Sequence, residues 1–203
     1  MTIGRMELVC PAGTPATLRA AVVAGADAVY CGFRNETNAR NFPGLNFSTE
    51  ELAEGVRFAH GHGTKVLVAI NTFALAGRVD RWKKAADNAA ACGADAVIAA
   101  DLAILDHVAK NHKGLRLHLS VQAASATPEA IKFYAEAFGV RRVVLPRILS
   151  IQEIAALNRT IGRRPGRSCL ATFASWSKAA AICPPTQPES RQTSTVSVPR
   201  RKW

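Results

Sequence analysis

The chain has 203 residues, enough for one sizeable domain, and is 48% apolar and 20% charged, an ordinary globular mixture. No apolar run approaches the ~20 residues of a membrane span, and Met1-Thr2-Ile3-Gly4-Arg5 has no apolar signal core, so a cytoplasmic location is expected. The formal charge of +11 suggests nucleic acid until it is divided: residues 1–161 hold 18 Lys and Arg against 14 Asp and Glu, residues 162–203 hold 8 against 1, and the excess is therefore a property of a basic tail.

In chain order, residues 7–10 read as the first strand, followed by Pro11-Ala12-Gly13-Thr14. Pro15 opens a helix to about Ala24, at a first-turn position where its missing N–H costs nothing. Residues 28–32 are the second strand, and a long Asn-rich loop runs from Arg34 to Ser48. A loop of that length in a compact domain points to function. Ser48 and Glu51 form a capping box for a helix that ends near His60-Gly61. Then come a strand at 66–70, a helix at 79–92, a strand at 96–100, a helix at 102–111 and a strand at 116–122. Thr127-Pro128 starts a helix to 138, residues 142–145 are the sixth strand, and Ser150 caps a helix over 151–158. After residue 161 neither a period of 2 nor one of 3.6 is visible, and Pro, Ser, Thr, Gln and Arg dominate, so a disordered tail over 162–203 is expected.

One pentapeptide occurs twice, as Gly25-Ala26-Asp27-Ala28-Val29 and Gly93-Ala94-Asp95-Ala96-Val97, with a looser copy over residues 138–144. The glycine supplies a left-handed helix end and the β-branched run after it a buried strand. The offset of 68 residues is about two units of roughly 34, the size of a βα unit. Six βα units in strict alternation mean a parallel sheet covered by helices. An open doubly wound sheet and a (β/α) barrel compete. No G-x-G-x-x-G follows the first strand, and Asn71, Asp101, Gln122 and Arg147 end strands, as they would at a barrel mouth. The favoured fold is α/β: an incomplete TIM-like (β/α) barrel over 1–161, six units of the eight a closed barrel needs, followed by an irregular tail.

The substrate-binding candidates are Asn38, Arg40, Asn71, Gln122 and Arg147. Arg147 follows Leu145-Pro146 with no acid beside it in sequence and suits a carboxylate or phosphate. Asp101 and Ser120 are strand-end groups that equally suit helix capping. His118 alternates with Leu117 and Leu119 and reads as barrel-lining, while His60, His62, His107 and His112 lie at helix ends and read as structural. Five cysteines, odd in number and without a C-x-x-C pair, argue against disulfides and zinc; no metal site is expected, and no catalytic residue is assigned.

Met6-Glu7-Leu8-Val9-Cys10-Pro11-Ala12-Gly13, residues 25–32, Asn38-Ala39-Arg40-Asn41-Phe42, Gly44-Leu45-Asn46-Phe47, Ile70-Asn71-Thr72-Phe73, Ser120-Val121-Gln122 and residues 143–147 together resemble the collagenase-like peptidase family of unassigned type, U32. The resemblance runs from Met6 to about Ile161. Within the family, residues 38–47 and 69–73 look most like the UbiU branch, which hydroxylates the ubiquinone ring without oxygen alongside a UbiV-type partner. Other branches hydroxylate tRNA or ribosomal RNA, and some are described as proteases. The resemblance implies a [4Fe–4S] cluster on four cysteines beyond the sixth strand, in contexts such as E-G-R-C-Y-L-S-S-Y. Those strings are missing here, and Cys169 and Cys183 stand in unrelated contexts. Read one nucleotide earlier, the codons that can encode residues 176–186 permit Val-Glu-Gly-Arg-Cys-Tyr-Leu-Ser-Ser-Tyr. The sequence therefore suggests a frameshifted tail and a truncated, inactive chain that binds no cluster; sequencing the gene in all frames tests this.

Overall fold

The computed structural model describes residues 7–161 and 170–173, the latter as backbone. The elements are β1 (Val9–Pro11), α1 (Pro15–Val23), β2 (Ala28–Gly32), α2 (Thr49–Gly61), β3 (Lys65–Ile70), α3 (Val79–Ala91), β4 (Ala96–Ala99), α4 (Leu102–Asn111), β5 (Arg116–Leu119), a 3-10 turn (Val121–Ala123), α5 (Pro128–Phe138), β6 (Arg142–Leu145), α6 (Ile151–Ile161) and β7 (Leu170–Phe173). All strand pairs are parallel and the sheet order is β1-β2-β3-β4-β5-β6-β7. Each new strand lands beside the last, so the winding never reverses as it does in a doubly wound sheet. The sheet curls as an incomplete TIM-like barrel.

The two faces of the strands bury different things. Val29 and Cys31, Val66, Val68 and Ile70, Val97 and Ala99, Leu117 and Leu119, and Val143 and Leu145 alternate toward the helices and join Leu18, Leu52, Trp82, Ile104 and Ile131 in one large core. The other face carries Val9, Ala28, Tyr30, Leu67, Ala96 and Ile98, a smaller cluster lining the barrel interior. His118 belongs to this inner face by its period and register, opposite Ile98 and Arg142. At the lower end, Glu7 pairs with Arg142 and lies 3.5 Å from Lys65, linking the entries of β1, β6 and β3 across the interior. The Arg142 guanidinium holds the Glu7 carboxyl below its ordinary range.

The repeated pentapeptide has a physical meaning. Gly25 and Gly93 have φ of +88° and +81°, and Gly139 in the third copy has +71°. The aspartates after the first two reach back to the preceding strand: Asp27 Oδ2 accepts the Leu8 N–H at 2.8 Å, and Asp95 Oδ2 accepts that of Val66 at 2.8 Å. The third copy has Arg141 at that position, and there only the backbone bridges, Arg141 N–H to Leu117 O at 3.0 Å.

Several expectations are corrected. β1 begins at Val9, not residue 7, and α6 continues to Ile161. The fifth strand stops at Leu119 instead of 122, because the Ser120 hydroxyl accepts the Gln122 N–H and Ala124 adopts φ +49°. Residues 170–173, read as part of a tail without strand character, pair with β6 as β7. The exposed N–H and C=O row of β6 outweighs a weak local pattern. The rest of 162–203, including Cys169 and Cys183, lies outside the described residues. No described helix is long and apolar enough to cross a membrane.

Candidate functional site at the barrel mouth

The loop between β2 and α2 folds over the upper ends of β1, β2 and β3. Its neck is closed by a parallel bridge between Phe33 and Phe47, 3% and 1% exposed. Inside it two buried asparagines form a cage. Asn38 Nδ2 donates to Asn46 Oδ1 at 2.9 Å, Asn46 Nδ2 donates to the Arg40 carbonyl at 2.8 Å, and Asn38 Oδ1 accepts the Arg40 N–H at 3.1 Å. Asn46 sits at φ +72°, and its N–H reaches Gly13 O at 2.6 Å. Both polar ends of Arg40's backbone are therefore held, and its guanidinium is carried over the interior to within 3.4 Å of the Tyr30 hydroxyl. Gly32 ends β2 directly beneath the cage: a Cβ there would lie 2.3 Å from Asn38 Nδ2 and 2.6 Å from its Cγ. Gly32→Ala is expected to lower stability by about 1–3 kcal/mol, measured by urea unfolding. An unchanged midpoint would mean that Asn38 can be displaced freely.

The next strands brace this loop. Asn71 Oδ1 accepts the Ala39 N–H at 3.0 Å, and the Thr72 hydroxyl donates to Glu36 O at 2.7 Å while accepting Trp82 Nε1–H at 2.9 Å. Asp101 serves two elements: Oδ1 accepts the Ala103 N–H as the cap of α4, and Oδ2 accepts the Ala74 N–H of the loop after β3. Of the predicted residues, Asn38, Arg40 and Asn71 are thus brought into one hydrogen-bonded unit. Gln122 and Arg147 are exposed on the loops after β5 and β6, outside that unit. Asn46 and Tyr30 were absent from the predicted set. The Asn-Phe pair at 46–47, matching an Asn at 38, was the available signal for the former.

Around the mouth runs an apolar rim: Phe42, Phe73, Leu75, Val121 and Ile148 are all exposed, the last at 86%. Large exposed apolar groups on adjacent loops mark a surface made to be covered.

Burial keeps three titratable side chains of the barrel uncharged. Burial, with the Arg142 and Arg116 charges adding to it, pushes His118 down to about 4, so it is a neutral imidazole. Burial pushes the Cys31 thiol up to about 12. Cys92, at the end of α3, is also raised by burial, and its Sγ–H points at Thr49 O. The three described cysteines therefore fit a [4Fe–4S] cluster poorly: they are fewer than its four thiolate ligands and are not gathered with one another, and two are held as thiols.

The model of peptidase family U32 matches residues 13–164. Among curated proteins, the chain is 34% identical over 156 residues to an uncharacterized protease of Methanocaldococcus jannaschii, covering 77% of this chain and 37% of that one. It is 31% identical over 163 residues to a collagenase of Porphyromonas gingivalis, covering 80% and 38%. It is 35% identical over 158 residues to tRNA hydroxylation protein P1 of Bacillus subtilis, covering 76% and 36%. The chain thus spans well under half the length of these relatives. Among solved structures, an oxaloacetate acetylhydrolase aligns with a TM-score of 0.57 at 14% identity, covering 86% of this chain and 78% of that one; this is a likeness of fold alone.

Proposed function

This chain belongs to peptidase family U32, and from that premise we propose that it is the substrate-holding part of a hydroxylation protein, not a peptidase. The observation that carries the reading is the mouth itself: exposed apolar groups on four loops, with Arg40 and the exposed Arg147 on two of those same loops. Such a surface suits an aromatic acid bearing an apolar tail, its anionic head on an arginine and its tail along Phe42, Phe73, Leu75 and Ile148. This fits the UbiU-type role, hydroxylation of a ubiquinone precursor beside a UbiV-type partner of the same family. The partner would cover the rim. Against peptidase chemistry stands the burial of His118 and Cys31, which holds both uncharged, so this pair supplies no activated nucleophile.

Cluster ligands would have to come from outside the described residues, and Cys169 and Cys183 stand in sequence contexts unlike the cluster strings, so on its own the 203-residue chain is expected to bind substrate without converting it. Anaerobic reconstitution with iron and sulfide should leave it colourless; a brown product with four irons per chain would overturn that. Calorimetry with a prenylated hydroxybenzoate should show binding that weakens about tenfold in Arg40→Ala, the loss of one charge-assisted contact. RNA is the second reading, favoured by the relatives named for tRNA and rRNA hydroxylation. Tighter binding of a tRNA than of the prenylated acid, falling steeply with salt, would replace the first reading with it. Collagen cleavage by a clean preparation would overturn both.

A further inference from the structure

We propose that Asp87, His107 and His112 form a binding site for a divalent transition ion of the zinc type, clipping α3 to α4 on the side of the barrel away from the mouth. The three side chains come from two neighbouring helices, Asp87 from α3, His107 from the last turns of α4 and His112 from its C-cap. Both Nε2 atoms lie 2.6 Å from the same oxygen, Asp87 Oδ1. All three donor atoms fall within 4.8 Å of one another, the one such gathering of His, Cys, Asp or Glu among the described residues. The rings stand 5.8 Å apart at 66°, so both nitrogens converge on one point without stacking.

The chemistry of the donors selects the ion. Two imidazoles and one carboxylate suit zinc and its neighbours, whereas calcium and magnesium ask for oxygen alone. Metal–ligand bonds of about 2.0–2.1 Å in a tetrahedron separate the donors by about 3.3 Å, so the Asp87 oxygen must withdraw by somewhat under ~1 Å. Its side chain is 48% exposed and free to do so, while the two histidines, 17% and 23% exposed, are fixed by the helix end. Before metal arrives, the Asn111 amide donates to His107 Nδ1 at 3.2 Å, which puts the ring proton on Nε2, facing Asp87. Metal takes that place, the proton moves to Nδ1, and exposed Asn111 turns its carbonyl to receive it. Three protein ligands leave the fourth position for water.

The location argues for a structural role. α3 and α4 both run from the mouth toward the opposite end, and Asp87, His107 and His112 all stand in their later turns. In barrels of this type the chemistry sits at the mouth, and residues at the opposite end serve stability. Sequence reasoning took His107 and His112 for helix-dipole partners; only the approach of α3 supplies the third ligand.

The test is titration of the full-length chain with Zn2+ and, separately, Co2+. Expected are one equivalent bound, a rise in melting temperature of several degrees with Zn2+, and visible cobalt bands without the near-ultraviolet charge-transfer of a thiolate. Asp87→Asn and His112→Gln, each checked for cooperative melting in chelator, should weaken binding about tenfold or more, while His62→Gln should not. No binding, a thiolate band, or wild-type affinity in both site variants would overturn the proposal.

Discussion

Replacing Asn46 with alanine is expected to cost about 3–4 kcal/mol, a large share of the 5–15 kcal/mol that holds a typical domain. Two losses combine. The side chain accepts from Asn38 Nδ2 and donates to Arg40 O, so its removal leaves a buried amide donor without that acceptor, a penalty of about 1–3 kcal/mol. Alanine must also sit at φ +72°, where a Cβ without a local polar side chain costs about 1–2 kcal/mol. Asn46→Gly suffers only the first loss and should retain about 1 kcal/mol more stability than Asn46→Ala in urea unfolding. Equal losses in the two variants would remove the backbone argument, and near wild-type stability in both would mean that the cage does not hold the loop. Both variants should also misplace Arg40, whose carbonyl and N–H are tied to Asn46 and Asn38.

What was legible in the sequence follows from how local each signal is. Ser48 and Glu51 satisfy each other's orphan groups within three residues, and the structure has both bonds at 2.8 and 3.1 Å. Ser150 and Glu153 do the same. The six strands could be read because a parallel strand buried on both faces is apolar throughout. The overrun at Ser120-Val121-Gln122 had a local cause, a hydroxyl competing with the ladder, but Val121 disguised it by being apolar and exposed.

The site was less legible because its key contacts are distant. Asn71 meets Ala39 across 32 residues, and Asp101 meets Ala74 across 27. Their positions at strand ends could be read; their partners could not. The paired aspartates of the repeat show the same division. Asp27 and Asp95 were visible as a recurring letter, but their reach back to Leu8 and Val66 follows from the curl of the sheet.

Acid should destabilise this protein in a window set by His118. Its ring is 4% exposed on the inner face of β5, and burial with the nearby Arg142 and Arg116 charges takes it from 6.5 down to about 4. The folded state therefore keeps the imidazole neutral where the unfolded chain takes up a proton. The associated stability is fully present above pH ~6.5–7, falls as the pH drops below 6.5 and is lost once it passes below about 4. At ~1.4 kcal/mol per pH unit, the whole span amounts to about 3 kcal/mol, of which about 2 is gone by pH ~5. His118→Leu keeps an apolar body between Leu117 and Leu119 and has nothing to protonate. Its urea midpoint should fall less than that of the wild type between pH ~7 and ~5. The Glu7 carboxylate favours the charged ring but is outweighed by burial and by Arg142 and Arg116, so the comparison reads His118 together with its coupling to Glu7. An NMR titration of the His118 ring reads the same quantity directly. A ring that protonates in the folded protein near pH 6.5, or equal acid sensitivity in the two proteins, would place His118 in water and not in the barrel interior.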